Sequence, residues 1–136
     1  MGGGKPLARP HAAPPAVLVA EDEPIIRDLL GLMLEGLGFP AWSAADGQEA
    51  EDLYLRHRDE IAAAVLDLHM PRLDGPATLR ALRGLDPRVG CVFITGHPGD
   101  YDEDGLLALG AVGVFAKPFR LDEVLQVVAE LCERPR

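Results

Sequence analysis

Four apolar runs in this sequence end at polar residues whose side chains can take part in chemistry. Glu21 and Asp22 follow the first run, Asp67 and Thr95 end the next two, and Lys117 comes just after the last. Carboxylates are rarely placed inside a protein for packing, so acids in these positions indicate a site. Three carboxylates, one hydroxyl and one ammonium group supply what is needed to hold a cation and to accept a phosphoryl group.

The acids of this set predict a bound metal ion. Three carboxylates crowded together repel one another unless a cation neutralises them, and oxygen ligands on a partly hydrated site suit Mg²⁺. Asp67 is the best candidate for a nucleophile, because Lys117 and Thr95 would offer positive charge and a hydrogen-bond donor to a transferring phosphoryl group. The adjacent acids Glu21 and Asp22 fit better as the pair that holds the metal.

Length and composition narrow the class of protein. The chain has 136 residues, of which 48% are hydrophobic, and this suits one globular domain with a single core. Every apolar stretch stops well short of the roughly 18 residues of a membrane span, so we expect a soluble protein with no membrane partner. The formal net charge of −9 argues against direct binding of nucleic acid. Cys91 and Cys132 lie in apolar contexts, which predicts buried thiols and a cytoplasmic location.

From Ala16 onward, short apolar runs alternate with longer segments of helical periodicity, a pattern typical of βα units around a parallel sheet. Strands are expected near residues 16–20, 40–45, 62–66, 90–95 and 112–116. Helices are expected from Pro24 to a cap at Gly38, from an N-cap at Asp46 to His57, and over 75–85, 102–109 and 121–131. Five strands with five helices predict a doubly wound α/β domain with helices on both faces, whose ligands bind at the carboxyl ends of the strands.

The apolar stripes of the first and last helices are predicted to be core. They comprise Leu29, Met33 and Leu37 in the first helix and Leu121, Val124, Val128 and Leu131 in the last. The opening segment 1–15 is rich in Gly, Pro and Ala but lacks the continuous apolar core of a signal peptide. It is interpreted as a flexible tail or linker, and residues 16–133 are interpreted as the folded domain.

In their order and spacing, the residues of the site resemble the receiver domain of the two-component response regulator family. The matching features are Glu21-Asp22, Asp67 followed by Met70-Pro71 and Gly75, Thr95-Gly96, and Lys117-Pro118-Phe119. The resemblance implies a flavodoxin-like parallel sheet of strand order 2-1-3-4-5. It also implies that Asp67 accepts a phosphoryl group from a sensor histidine kinase or a histidine phosphotransfer protein, with Mg²⁺, or Mn²⁺ in its place, as the cofactor.

The resemblance assigns ligands to that metal. Asp22 and Asp67 would bind the ion directly, and Glu21 would act mostly through water. The backbone carbonyl of His69 would supply another ligand.

A second set of implied roles concerns the response to phosphorylation. Thr95 would reorient to bond a phosphoryl oxygen and Lys117 would pair with it, while the bond before Pro118 is expected to be cis. Loops would then shift and alter the face made by the fourth helix, the fifth strand and the fifth helix (α4-β5-α5), where a downstream target protein binds. Receivers often form homodimers through this face, and Val127 and Val128 offer apolar side chains for one.

The chain departs from the family pattern at one position. Where receivers usually carry Tyr or Phe, three residues before the lysine, this sequence has Val114. The change predicts either weakened coupling or coupling through the threonine and loop movement alone, with Phe115 pointing to the opposite face of its strand. His69 and His97, each two residues past a site residue, are either exposed loop histidines or side chains that tune the lifetime of the phosphoryl group.

The residues alone leave other functions open. The chain is either a signalling module with no enzymatic activity toward a separate substrate, or a receiver excised from a hybrid kinase or longer regulator, or a binding module that is never phosphorylated. A haloacid-dehalogenase-like phosphatase also uses a strand-end Asp, but it needs a second acid two residues later, where this chain has His69 or Pro24. A flavodoxin-like nucleotide binder would need a Gly-rich phosphate loop after the first strand, which this sequence lacks.

Overall fold

The structure, a computed structural model, describes residues 14–97, 99 and 101–134. Strands and helices alternate along it: β1 (Ala16–Ala20), α1 (Pro24–Gly36), β2 (Ala41–Ala44), α2 (Gly47–His57), β3 (Ile61–Asp67), α3 (Gly75–Leu85), β4 (Gly90–Thr95), α4 (Glu103–Ala108), β5 (Ala111–Ala116) and α5 (Leu121–Glu133). These bounds lie within two residues of those predicted. The segment interpreted as a flexible tail, 1–15, lies outside the described residues apart from its last two positions.

The five strands form one parallel sheet in the order β2-β1-β3-β4-β5. Apolar side chains of α1 and α5 pack on one face of the sheet, and those of α2, α3 and α4 pack on the other. The predicted doubly wound, flavodoxin-like fold is therefore confirmed. Because the strand order reverses between β1 and β3, the crevice at the carboxyl ends of these two strands is where such a sheet binds ligands.

Local sequence sets the starts of the helices beside this crevice. Pro24 occupies the first turn of α1, where its missing N–H is not needed. Asp46 caps α2 by accepting a hydrogen bond from the Glu49 N–H at 2.8 Å, and Asp74 caps α3 by accepting one from the Ala77 N–H at 2.9 Å. Each cap satisfies a backbone donor that the first turn of a helix leaves unpaired, so the short loops before α2 and α3 are fixed.

The central strands are buried on both faces. Every residue of β1, β3 and β4 is buried, as expected for parallel strands covered by helices on both sides. Leu79 and Leu82 of α3 point inward as predicted, and Val124 and Val128 of α5 are fully buried. Both cysteines are buried, as predicted. None of the helices in the described segments has the length and apolar character needed to cross a membrane.

The predicted core residues of α1 are wrong, because the buried side of the helix is displaced by one residue from the predicted one. Leu29, Met33 and Leu37 are 46%, 42% and 55% exposed, whereas Leu30 and Leu34 are 1% exposed and pack on the sheet. Both sets have helical spacing, and α1 is apolar on nearly every side, so periodicity alone does not distinguish them. The consequence is an apolar face on α1 that no described residue covers.

A stacked pair of rings lies at the C-terminal end of α2. The ring of Trp42, on edge strand β2, lies 3.7 Å from that of His57 with an interplanar angle of 9°. The His57 Nδ1 lies 3.5 Å from a carboxylate oxygen of Glu60. The imidazole therefore joins β2 to the turn that leads into β3.

Candidate functional site

The carboxyl ends of four strands bring the predicted chemical residues to one edge of the sheet. Glu21 follows β1 and is fully buried, and Asp67 ends β3 with 3% of its surface exposed. Thr95 ends β4 and is also fully buried, while Lys117 follows β5. Asp22, next to the buried glutamate, is exposed at the mouth of the crevice. The structure thus assembles all five residues.

The ammonium group of Lys117 is the positive centre of this crevice. Its Nζ lies 3.0 Å from Glu21 Oε1, 2.7 Å from Glu23 Oε1 and 3.4 Å from Asp67 Oδ2. One lysine therefore faces three carboxylates. The crevice keeps a surplus of negative charge, which attracts a further cation.

Burial and the neighbouring charges shift the pKa values of Glu21 and Lys117. Burial, together with the neighbouring carboxyl of Asp67, raises the pKa of Glu21 to about 8, although the Glu23 N–H and Lys117 act in the opposite direction. Burial also disfavours the charged form of Lys117, but Glu23, Glu21 and Asp67 outweigh it and raise the pKa of the lysine above its usual value. The lysine keeps its charge, and a second cation in the crevice would favour the ionised form of Glu21.

The acids of the crevice fit a small divalent cation. Carboxylate oxygens of Glu21, Asp22 and Asp67 all lie within 4.8 Å of one another. Oxygens about 2.0–2.1 Å from one Mg²⁺ ion are about 3–4 Å apart, so these carboxylates need little movement to share an ion. Among the described residues, the buried Glu21 Oε1 meets only the Lys117 ammonium group, at 3.0 Å and without hydrogen-bond geometry. A cation or its bound water would satisfy that oxygen.

Local hydrogen bonds orient the groups at the ends of β3 and β4. The His69 N–H donates to Asp67 Oδ1 at 3.2 Å, and the His97 N–H donates to Thr95 Oγ1 at 2.9 Å. The rings of the two histidines are exposed and meet edge to face, with centroids 5.0 Å apart and an interplanar angle of 86°. The Thr95 hydroxyl thus binds the backbone of the segment that follows β4. Both imidazole rings are open to solvent.

Strand β5 is tied to β4 beside the site. The Lys117 N–H donates to the Thr95 carbonyl at 2.6 Å, which extends the pairing of the two strands by one residue. The next peptide bond, to Pro118, is cis, the isomer that the family resemblance implies. Val114 packs on one face of the sheet and Phe115 on the other, as the alternation of side chains along a strand predicts.

The loop that leads from Asp67 into α3 is tightly held. The Gly75 N–H donates to the Leu68 carbonyl at 3.0 Å, and a Cβ on Gly75 would lie 2.5 Å from the Asp67 carbonyl oxygen. Only glycine fits there without displacing the backbone. Arg72, at φ 70°, donates twice to Asp46 Oδ2, at 2.6 and 3.2 Å. This pair ties the loop to the start of α2.

A cleft of about 360 Å³ opens between α3 and α4, next to the site. Its walls include His69 on one side and Tyr101 and Leu106 on the other. Tyr101 is half-buried and packs on the same core cluster as Val114. Helix α4 has only six residues, and its N-cap Asp102 makes no capping hydrogen bond through its side chain to any described residue. This side of the site is loosely built.

Two further residues belong to the site although sequence reasoning did not select them. Glu23 pairs with Lys117, and its N–H donates to Glu21 Oε2 at 3.0 Å. Arg27, in the first turn of α1, donates from Nη1 to the Glu21 carbonyl at 2.8 Å. Glu23 is the third acid of an unbroken run, and that run is a signal that points to it. Arg27 has no such signal, because its role depends on α1 folding back over the end of β1.

Strand order and site chemistry place this chain in a defined class. Acids at the switch point of a 2-1-3-4-5 sheet, with a lysine reaching them from the last strand, are the arrangement of CheY-like signalling domains of two-component systems. The family profile described as response regulator receiver domain matches residues 17–129. The chain belongs to this family.

Individual relatives occur in two kinds of protein. The chain is 34% identical over 121 residues to the response regulator MprA of Mycobacterium sp. (strain KMS), which covers 89% of this chain and 52% of MprA. It is 33% identical over 118 residues to the sensor kinase CckA of Brucella abortus (strain 2308), covering 87% of this chain and 12% of the kinase. The chain thus spans about half the length of one relative and a small part of the other.

A solved structure is similar in fold and carries a metal. It is the receiver domain of the sensor histidine kinase PA1611 from Pseudomonas aeruginosa PAO1, with a magnesium ion coordinated in its active site cleft. The two share 27% sequence identity with a TM-score of 0.77, over 90% of this chain and 100% of that one. A protein similar to this chain therefore holds Mg²⁺ in its active site cleft.

Proposed function

We propose that Asp67 receives a phosphoryl group from a phosphohistidine on a sensor histidine kinase or a histidine phosphotransfer protein. The acting unit is residues 16–133, with 1–15 as a tail or linker. Mg²⁺ is the cofactor, and a change at the α4-β5-α5 face is the output. On this proposal the chain turns over no separate substrate and catalyses only its own phosphorylation and dephosphorylation.

The placement of Asp67 is the observation that carries the proposal. Its Oδ1 accepts the His69 N–H, and its Oδ2 lies 3.4 Å from Lys117 Nζ, so the carboxylate is oriented from both sides. Lys117 is close enough to pair with the oxygens of a phosphoryl group that arrives on Asp67. Thr95, on the neighbouring strand, can donate its hydroxyl proton to another oxygen. Positive charge and a donor at the transferring group are what phosphoryl transfer requires.

The proposed Mg²⁺ site uses Asp22 and Asp67 as direct ligands, Glu21 through water, and the carbonyl of His69. Bound there, the ion would supply positive charge to the oxygens of the phosphoryl group. The chain's own residues do the rest: a carboxylate oxygen of Asp67 attacks phosphorus as the P–N bond breaks and the donor histidine leaves, and Lys117 pairs with the oxygens that are transferred. The magnesium ion in the PA1611 receiver supports this choice of metal.

The uncovered face of α1 supports a protein as the donor. Ile25 is 82% exposed and Leu32 is 69% exposed, and α1 begins two residues after Asp22 at the mouth of the crevice. An apolar patch at the entrance of a site is typical of a protein interface. The donor would pack an apolar surface against α1 while its phosphohistidine reaches Asp67. Leu32→Glu is then expected to slow transfer from a phosphohistidine protein and to leave labelling by acetyl phosphate unchanged, whereas equal loss with both donors would contradict this docking.

The α4-β5-α5 face is proposed to carry the response. Leu107 of α4 and Val112 of β5 are 42% and 44% exposed and offer apolar contacts to a target protein or a second copy. Val127 is half-buried. Val128 is fully buried, so the predicted contribution of Val128 to a dimer is wrong.

His69 and His97 are proposed to tune the lifetime of the phosphoryl group. Their exposed rings stand at the entrance to the crevice, where water must pass to attack an acyl phosphate. His69→Ala is expected to change the rate at which phosphorylated protein loses its label. An unchanged rate would leave His69 as an exposed loop histidine.

Intact mass after incubation with acetyl phosphate and Mg²⁺ tests the phosphoacceptor function. The wild-type chain is expected to gain one phosphoryl group, and Asp67→Asn none, because an amide oxygen is not a nucleophile of this kind. Asp59→Asn is the matched control, since it removes an exposed acid from the turn before β3. Omitting Mg²⁺ should abolish the gain in mass.

Two results would contradict this function. A chain that binds Mg²⁺ by calorimetry but gains no mass from acetyl phosphate or from a phosphohistidine protein would be a binding module. Repeated release of phosphate from simple phosphate esters would instead indicate a phosphatase.

A further inference from the structure

We propose that Glu23 selects among phosphoryl donors: it occupies the ammonium group of Lys117 before transfer, so that a donor without a protein surface reacts slowly with Asp67. The inference rests on the proposed phosphoacceptor function of Asp67. It adds to that site a residue that determines the class of donor.

The side chain of Glu23 is directed at Lys117 and not at its own helix. Glu23 is the N-cap residue of α1, yet its side chain makes no capping hydrogen bond to a described residue. Its Oε1 instead accepts a hydrogen bond from Lys117 Nζ at 2.7 Å, whereas the hydrogen bond from the same Nζ to Asp67 Oδ2 is 3.4 Å long. Hydrogen bonds between charged groups are strongest when they are short, so Glu23 is the stronger partner of the lysine.

The ammonium group has no donor to spare for a phosphoryl oxygen. It carries three N–H groups and lies within 3.4 Å of three carboxylates, those of Glu21, Glu23 and Asp67. A transferred phosphoryl group must therefore displace one of them. The side chains of Glu21 and Asp67 are 0% and 4% exposed, whereas that of Glu23 is 58% exposed. Glu23 is the partner that leaves, because water can replace the lysine around an exposed carboxylate at little cost.

Displacement of Glu23 is harder for a small donor than for a protein. A small donor such as acetyl phosphate is an anion, and the exposed carboxylates of Asp22 and Glu23 repel it at the mouth of the crevice. It brings no other contact that could offset the lost pairing. A protein donor docked on α1 would contact Ile25, which lies two residues after Glu23 and is 82% exposed. The binding free energy from that contact can offset the displacement.

The transfer step is the same for both classes of donor. A carboxylate oxygen of Asp67 forms a bond to phosphorus as the bond from phosphorus to the leaving group breaks. That bond is P–O in acetyl phosphate and P–N in phosphohistidine, and acetate or histidine leaves with the electron pair. Lys117 exchanges Glu23 for a phosphoryl oxygen and keeps its proton.

Labelling rates with three donors test the selectivity. Acetyl phosphate and phosphoramidate are small donors, the second with a P–N bond, and a phosphorylated histidine phosphotransfer protein that labels the wild type is the third. At saturating Mg²⁺, Glu23→Gln is expected to speed labelling by both small donors about three- to tenfold and to change the rate with the protein donor by less than about twofold. Asp28→Asn is the matched control, since it removes another exposed acid of α1 and should change none of the three rates.

¹⁵N NMR of the lysine side chains tests whether Glu23 acts through Lys117. The sequence has two lysines, Lys5 and Lys117, and Lys5→Arg identifies the Lys117 resonance. In protein without a ligand, Glu23→Gln is expected to shift the Lys117 Nζ resonance. With beryllofluoride and Mg²⁺, which mimic the phosphoryl group, wild type and Glu23→Gln should give the same resonance, because Glu23 has then left the lysine. A carboxylate that merely stabilised α1 would not produce this convergence.

Each opposite result overturns a defined part of the argument. An unchanged rate with acetyl phosphate in Glu23→Gln, or equal acceleration with all three donors, would overturn this inference and leave the phosphoacceptor function standing. Lys117 resonances that differ as much with beryllofluoride as without it would also overturn the inference, since Glu23 would then not be the partner that leaves. Absence of label from every donor in the wild type would overturn the phosphoacceptor function, and this inference with it.

Discussion

The two loops that flank the proposed acceptor are built in opposite ways. The β3–α3 loop is fixed by a glycine packed against the Asp67 carbonyl, by an aspartate cap on α3 and by the Arg72–Asp46 ion pair. The segment after β4 is held at the site by the hydrogen bond between Thr95 and His97. It leads to a six-residue helix, and both loops border the cleft of about 360 Å³.

The rigid loop and the weakly held segment suit two different tasks of the proposed site, which are to hold the reacting oxygen and to respond to phosphorylation. A reacting oxygen has to be held in one place, because small displacements slow a reaction strongly, and this suits the rigid loop that carries Asp67. A response needs an element with two arrangements of similar free energy, which suits the loosely packed side. Sites of this kind draw their moving parts from regions of low local stability.

The largest effect is expected when a methyl group is added to a glycine of the β3–α3 loop, and the same change in the segment after β4 serves as the comparison. Gly75→Ala places a Cβ 2.5 Å from the Asp67 carbonyl oxygen, so it should lower the free energy of unfolding by about 3 kcal/mol and stop phosphorylation. Gly99→Ala meets no described atom within 4 Å and should change the free energy of unfolding by less than about 0.5 kcal/mol. Urea denaturation and acetyl phosphate labelling measure both. Equal costs at the two positions would remove the contrast between the loops.

A smaller effect is expected at the ion pair that ties down the rigid loop. Asp46→Ala removes the cap of α2 and the partner of Arg72, and should lower the free energy of unfolding by about 1–2 kcal/mol. Asp46→Asn keeps a capping side chain and loses only the charge, so it should cost less than about 1 kcal/mol. Urea denaturation compares the two variants. If neither variant changes stability, the Arg72–Asp46 pair does not hold the loop.

The smallest expected effect is the pH dependence of the stabilisation that Asp46 provides. Hydrogen bonds from the Glu49 N–H and from Arg72 lower the pKa of Asp46 below its ordinary value of 3.8. Because the folded-state pKa is the lower one, the stabilisation is fully present above the unfolded pKa and is lost as the pH falls through the folded one. The stability difference between wild type and Asp46→Asn should therefore be constant from neutral pH to about pH 5, and it should disappear only when the pH falls below the lowered folded-state pKa. A difference that grows in acid would contradict this sign.

Most of the fold could be predicted because its signals are local. Apolar runs, the positive-φ Gly38 and the caps Asp46 and Asp74 set the ends of strands and helices. The inward side of α1 could not be predicted, because Leu29 and Leu30 fit equally well on an apolar helix. Only packing against the sheet selects Leu30.

The site could be predicted where it depends on strand ends, and not where it depends on turns. Asp67 and Lys117 meet because parallel strands end at one edge of a sheet. Glu23 reaches Lys117 across 94 positions of sequence, and Arg27 reaches back to β1, because of the turn that starts α1. The cleft beside Tyr101 depends on the distance between α3 and α4, and no sequence motif encodes that distance.

The stack of Trp42 on His57 decides what the intrinsic fluorescence of this protein can report. Trp42 is the one tryptophan of the chain, and its indole lies against the imidazole ring 3.7 Å away. Because α2 runs antiparallel to the strands, His57 at its C-terminus lies at the edge of the sheet opposite Asp67. Emission from unlabelled protein therefore reports on the edge of the sheet far from the proposed acceptor, so an optical assay of signalling needs a dye attached near α4.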